Sequence, residues 1–263
     1  MLTAEIFGTP LSRSRPAAVA VELLHDFTLV HDDVMDNDAI RRGQPTVHTK
    51  WDVSTAILAG DGLMGLAFQK LLASPCGNIP VMLRRMTETM IEVCEGQALD
   101  KMFETAGIVS SEAYLDMINR KTAALIAFSC ELGGLLAGVA APHLQMLTQF
   151  GRALGLAFQI QDDLLDVTAD PEKLGKPVGS DLAMRKQNIL TILLYEKQQN
   201  SDFFHLSLDE FRLLLQSSGA LEQAQDISDQ HLNAARSLLQ QMPDNGPRQH
   251  LADLVGFLCS RQW

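Results

Sequence analysis

Six aspartates in two runs are the residues best suited to chemistry. Asp32, Asp33 and Asp36 lie in HDDVMDNDAIRRGQPTVH (31–48), and Asp162, Asp163 and Asp166 lie in FQIQDDLLDV (158–167). On a helix, residues four apart share a face, which pairs Asp32 with Asp36 and Asp162 with Asp166. Asp33 and Asp163 stand about 100° round from their neighbours. Like charges so close cost stability, and a shared cation removes that cost. Oxygen-only ligand sets select hard ions, and Mg2+ keeps several waters and completes its shell with substrate phosphate. The two runs therefore read as incomplete Mg2+ sites awaiting a phosphorylated ligand. A solvated acidic helix end is the plain alternative. The repeated spacing and the apolar lead-ins ELLHDFTLV and LGLAFQI speak against it.

Basic residues supply the opposite charge. Arg41 and Arg42 follow the first run, Lys121 sits in NRKTAAL, and Lys176 and Lys186 follow the second run in a polar stretch. Each alone would be an ordinary surface residue. Together they suit diphosphate oxygens that metal ions leave free.

Such groups need a scaffold, and apolar residues recur at helical spacing from end to end. One long helix is expected over 16–36, with Pro16 in its first turn and a stop before Gly43 and Pro45. Further helices are expected over 53–73, 79–103, 143–169 and 186–199, with 110–138 forming one helix or two behind a serine cap. Ser207 and Glu210 form a capping box, and amphipathic segments near 220–242 and 247–260 finish the chain. No strand pair or hairpin turn is expected. The fold class is all-α, with residues 1–263 in one domain.

Composition narrows the field. The 263 residues are 46% hydrophobic and 20% charged, as in ordinary globular chains. A net charge of −11 argues against nucleic acid as the main partner. Cys76, Cys94, Cys130 and Cys259 are scattered without a CxxC pair, which predicts reduced, buried thiols and a cytoplasmic protein. MLTAEIFGTP lacks the features of a signal peptide. Residues 122–141 are long enough to span a bilayer. They carry Glu131 and three glycines and lack anchoring flanks, so a buried bundle helix is expected and no membrane span.

The motifs also agree in order with a known family. DDVMD followed by RRGQPTVH, then ILAGDGL, RKTAAL, FQIQDDLLD and GKPVGSDL make the chain similar to the trans-isoprenyl diphosphate synthases, or polyprenyl synthetases, of the farnesyl and geranylgeranyl type. The likeness runs from about residue 2 to Trp263. It implies a large isoprenoid synthase-like helical bundle around a central cavity, a homodimer, and Mg2+ as cofactor. The implied reaction joins an allylic diphosphate to isopentenyl diphosphate through an allylic cation. Within the metal set of six aspartates, the resemblance gives Asp32, Asp36 and Asp162 the ions, helped by Arg41, Lys121 and Lys186, while Asp33 and Asp166 support them. It places His25 and Arg42 on isopentenyl diphosphate and Lys176 over the allylic diphosphate. It makes Lys121, Thr122 and Gln159 catalytic, facing the cation.

Product length follows from shape. Phe27 lies five residues before Asp32, about one turn below the metals, where its ring would close the space for a growing chain. Three or four isoprene units are expected, four slightly favoured. The family carries a Gly-Lys-Arg segment upstream of the helix that ends like LTAEIFG, whereas here that helix opens at Met1. A domain lacking the usual N-terminal helix segment is therefore expected. Losing two charge-assisted contacts, at roughly 1.5–3 kcal/mol each, would weaken the isopentenyl site and leave the metal and allylic sites whole. Three other readings compete. A class I terpene cyclase would carry a different second metal motif. A non-catalytic or impaired synthase-like subunit would have no evident reason to keep both motifs. An HD-type phosphohydrolase would need further spaced histidines.

Overall fold

The computed structural model describes residues 1–169 and 179–259. The expected Lys176 lies outside them. The short α1 (Leu2–Ile6) leads into α2 (Leu11–Met35), which starts where Pro10 holds an extended conformation. Pro16 is therefore inside α2 and not in its first turn, a correction to the expected start. A proline lacks the N–H for one bond back to the preceding turn, and α2 continues through that loss.

Asp36 caps α2, and Asn37 turns the chain at φ 54. A hairpin follows that periodicity did not foresee: Ile40–Arg41 pairs antiparallel with Gln44–Pro45. Arg42 (φ 52) and Gly43 (φ 73) form its turn, the left-handed pair that matches strand twist in a two-residue loop. Thr46 Oγ1 closes the base by donating to Asp38 O at 2.7 Å. The single turn α3 (Val47–Lys50) precedes α4 (Val53–Leu72), capped by Asp52, and α5 (Ile79–Phe103), capped by Asn78.

Residues 110–138 form neither one helix nor two simple ones. α6 (Ser111–Ile118) runs through a π-helical turn, Asn119–Ala123, into α7 (Ala124–Ala137). Glycines from two neighbours crowd this turn. A Cβ on Gly96 of α5 would stand 2.7 Å from Lys121 Cα, and one on Gly155 of the next helix 2.5 Å from Ala123 Cα. That helix, α8 (Ala141–Thr168), is the longest described. After it come α9 (Ser180–Ala183), α10 (Ile189–Gln198), α11 (Leu208–Ser218), α12 (Ala220–Leu239) and α13 (Gly246–Cys259). The Ser207–Glu210 capping box opens α11 as expected, and an Asn188–Thr191 box opens α10.

The all-α class holds apart from the hairpin. One apolar cluster fills the space between α2, α4, α5 and α7, with Leu24, Met82, Met86 and Phe128 at its centre. A second joins α6, α8, α10, α11 and α12, and a third joins α1, α7, α8, α12 and α13. The first cluster lies under the acidic end of α2. The C-termini of α2 and α5 meet, since Lys101 Nζ reaches Met35 O at 3.1 Å and Asp36 at 3.3 Å.

Among the described residues no helix is long and apolar enough to cross a membrane. In the segment that invited the question, Arg85 grips Glu131 with Nε at 3.0 Å and Nη2 at 2.9 Å, which offsets the cost of the buried charge. The thiols depart from the expectation of uniform burial. Cys130 is buried, and desolvation pushes it up to about 11, whereas Cys76 is half-buried and Cys94 exposed. Cys94 lies on an outer face of α5, where helical spacing alone does not distinguish core from rim.

Candidate active site

The last turn of α2 divides its aspartates. Asp33 is buried, and Arg41 Nε bonds its Oδ1 at 2.5 Å. That bond fastens the hairpin back onto the helix that precedes it. Asp32 and Asp36 are half-buried. Burial raises the Asp32 carboxyl above its ordinary range, and Asp36 and Asp100 add to the rise against Lys121 and Lys186. Asp32 Oδ1 is buried without a hydrogen-bond partner, and Lys121 Nζ stands 3.5 Å away. Lys121 is drawn more closely to Asp100 of α5, at 2.6 Å.

Asp100 was not singled out in the sequence. It lies in EGQALD, four residues after Gly96 and so on the same face of α5. Nothing in that spacing marks it, because its burial and its partner Lys121 come from packing across the bundle. Lys186 completes the balance of charge. Burial opposes its cation, but Asp100, Asp181, Asp36 and Asp32 outweigh that and hold it protonated far above the usual lysine range.

The turn carrying Lys121 links α2 to α8. Thr122, the next residue, donates from Oγ1 to Gln159 Oε1 at 3.0 Å. Gln159 Nε2 in turn donates to Asp163 Oδ1 at 3.3 Å. Asp162, three residues after Gln159 on the same helix, is half-buried. Asp166 is buried and ties α8 to α9, accepting from Ser180 Oγ at 2.8 Å and Asp181 N at 3.2 Å.

Asp163 departs from the expected metal set. It is 3% exposed, and protein donors occupy both oxygens: Tyr114 Oη at 2.5 Å and Ile189 N at 3.1 Å on Oδ2, and Gln159 on Oδ1. Burial and nearby Asp181 push this carboxyl up to about 7 against the pull of those donors. Its surroundings are α6 and the start of α10, so its task is to join elements.

The remaining expected residues have surroundings of their own. His25 is half-buried, and its ring is within 4.8 Å of carboxylate oxygens of Glu22 and Asp26 on the same helix. Arg42 is exposed at the hairpin tip. Phe27 is half-buried against the cluster under α2 and meets His31 edge-on, with centroids 4.8 Å apart. A shallow cleft of about 710 Å3 between Gly77–Val81 and Leu135–Val139 has no charged lining residue and contains none of these groups.

The donor set suits a hard divalent cation. Asp32, Asp36 and Asp162 offer only oxygens, and Asp32 keeps one buried oxygen without a hydrogen-bond partner. Fold and site together define an all-helical bundle with an acidic, lysine-balanced end set over an apolar interior.

A sequence profile described as Polyprenyl synthetase matches residues 1–210. A geranylgeranyl diphosphate synthase of Methanosarcina mazei is 38% identical, covering 100% of this chain and 84% of its own. A geranylfarnesyl diphosphate synthase of Natronomonas pharaonis is 38% identical over 94% of this chain and 75% of its own. The crystal structure of a geranylgeranyl pyrophosphate synthetase from Pyrococcus horikoshii superposes with a TM-score of 0.94 at 36% identity, covering 99% of this chain and 84% of that one. The chain belongs to the polyprenyl synthetase family.

Proposed function

We propose that this protein is a Mg2+-dependent short-chain trans-prenyltransferase of the cytoplasm. It joins an allylic diphosphate to isopentenyl diphosphate and makes a product of three or four isoprene units. The observation that carries the reading is the meeting of Asp32, Lys121 and Asp100 beside the Thr122–Gln159 contact, above the apolar cluster of α2, α4, α5 and α7. In this reading Asp32, Asp36 and Asp162 hold Mg2+, with Asp33 and Asp166 steadying their helices. The bound ion supplies Lewis-acid neutralisation of the leaving diphosphate.

The chain's own residues do the rest. Lys121 and Lys186, with Arg41 and Lys176, hold diphosphate oxygens by charge-assisted hydrogen bonds. His25 and Arg42 hold isopentenyl diphosphate. Oxygen dipoles of Thr122 and Gln159 face the allylic cation. Phe27 closes the space below. Residues 1–263 act as one domain.

The active unit is a homodimer, and the faces of α4 and α5 support that. Leu58 (71% exposed), Gly62, Gly65, Gln69 and Leu72 (57%) recur at heptad spacing on α4. Ile91 (61%) and Met102 (63%) extend the apolar surface on α5. Among the described residues nothing lies within 4 Å of a Cβ placed at Gly62 or Gly65. Two helix-interior glycines cost about 1 kcal/mol each, and close approach by a second copy accounts for them.

The direct test incubates the protein with farnesyl or geranyl diphosphate, labelled isopentenyl diphosphate and Mg2+. Label should enter a longer prenyl diphosphate. Chelation should abolish this, and Asp32→Asn should slow it by about 100-fold or more. Release of hydrocarbons or alcohols without elongation would overturn the reading.

A further inference from the structure

The buried Tyr114 of α6 stands behind the residues assigned to the cation. Its ring is 3% exposed, and its hydroxyl donates to Asp163 Oδ2 at 2.5 Å. The same oxygen accepts Ile189 N at 3.1 Å, so two donors from two elements hold this carboxylate in one orientation. The other oxygen, Oδ1, is left to accept Gln159 Nε2 at 3.3 Å. An amide has one donor end and one acceptor end. With its nitrogen committed to Asp163, Gln159 must turn its oxygen to the π-helical turn, where it accepts the Thr122 hydroxyl proton at 3.0 Å. A hydroxyl has only one proton, and once that proton is given to Gln159 the Thr122 oxygen offers only lone pairs elsewhere. Lone pairs stabilise a nearby positive charge, whereas an O–H or N–H pointing at it would destabilise it.

We propose that Tyr114 is a positioning residue: acting through Asp163, it fixes the Gln159 amide and thereby the direction of the Thr122 hydroxyl, so that the cation formed from the allylic substrate meets oxygen lone pairs. This rests on the proposed prenyltransferase reading for its consequence, but not for its geometry. None of the four groups need touch the diphosphates for the device to work. Loss of the Tyr114 hydroxyl therefore acts on the chemical step and spares substrate binding.

Tyr114→Phe keeps the buried ring and removes only the donor. We expect kcat to fall by about tenfold with KM for both substrates within about twofold. Thr122→Val removes the hydroxyl at the end of the chain. The double variant should fall no further than Thr122→Val alone, because both changes disable one device. Losses that multiply, or a loss confined to KM, would overturn the proposal. A readout independent of activity separates it from the functional reading. Hydrogen exchange of the Gln159 side-chain amide, followed by NMR, should quicken by about tenfold in Tyr114→Phe while core backbone amides stay protected. Unchanged exchange would overturn the proposal even if the enzyme elongates prenyl chains. Quickened exchange in a protein that does not elongate them would sink the functional reading and leave the positioning intact. Should Tyr114→Phe fail to fold, Gln159→Met removes the amide with Tyr114 and Asp163 in place, and the same non-additivity with Thr122→Val is expected.

Discussion

Asp33, Asp163 and Asp166 are buried and occupied by protein donors, while Asp32, Asp36 and Asp162 of the same two motifs are half-buried. Spacing set Asp33 and Asp163 off their neighbours' faces and the resemblance gave Asp33 and Asp166 supporting parts, but the partners that occupy the three, Arg41, Tyr114 and Ser180, come from other elements and could not be read there. Phe27 belongs to this scale as well. Its ring is only half-buried, so Phe27→Ala should cost less than the roughly 3–5 kcal/mol of a fully buried ring. On the proposed reading it should lengthen the product by at least one isoprene unit, measured by chromatography of the dephosphorylated chains. An unchanged product would remove Phe27 from that role. Much of the site was legible in this way, as residue types at helical spacing. Asp100 and Tyr114 were not, since each looks like an ordinary residue until its partner across the bundle is known.

At the scale of elements, the π-helical turn decides where Lys121 and Thr122 sit, and Gly96 decides where the turn sits. A Cβ at Gly96 would collide with the Lys121 backbone, which has no rotamer to yield. Gly96→Ala should destabilise the protein by about 1–3 kcal/mol. It should also lower kcat by more than tenfold through displacement of Lys121, read by thermal melting and steady-state kinetics. A melt that falls while kcat holds would show that the turn tolerates the shift. The helices over 53–72 and 79–103 were legible because apolar period and caps agree there. The hairpin was not, since two-residue strands leave no alternation to read. The π turn was hidden for a different reason. An extra residue in a helix is imposed by packing partners, here glycines about 25 and 35 positions away along the chain. Pro16 misled because a proline in a first turn and one inside a helix look alike in sequence.

At the scale of the whole molecule, the uncovered stripe on α4 makes a prediction by sign. Were Gly62 permanently facing water, Gly62→Ala would stabilise the helix by up to about 1 kcal/mol. With a second copy packed against it, the added methyl should weaken the dimer instead. Leu58→Glu should shift the species seen by light scattering from twice the chain mass to one chain. A wild-type monomer at micromolar concentration would refute the assembly. The joined C-termini of α2 and α5 carry a further consequence. The negative ends of their two helix dipoles add to the charge of the aspartates around them. An anion arriving alone meets repulsion, and a divalent cation arriving alone lacks its remaining ligands. If the proposed reading holds, each raises the other's affinity by the same factor, as reciprocal linkage requires. On the proposed reading, ion and diphosphate would then behave as a single thermodynamic unit, and titrating either one in the other's absence would understate how tightly both are held.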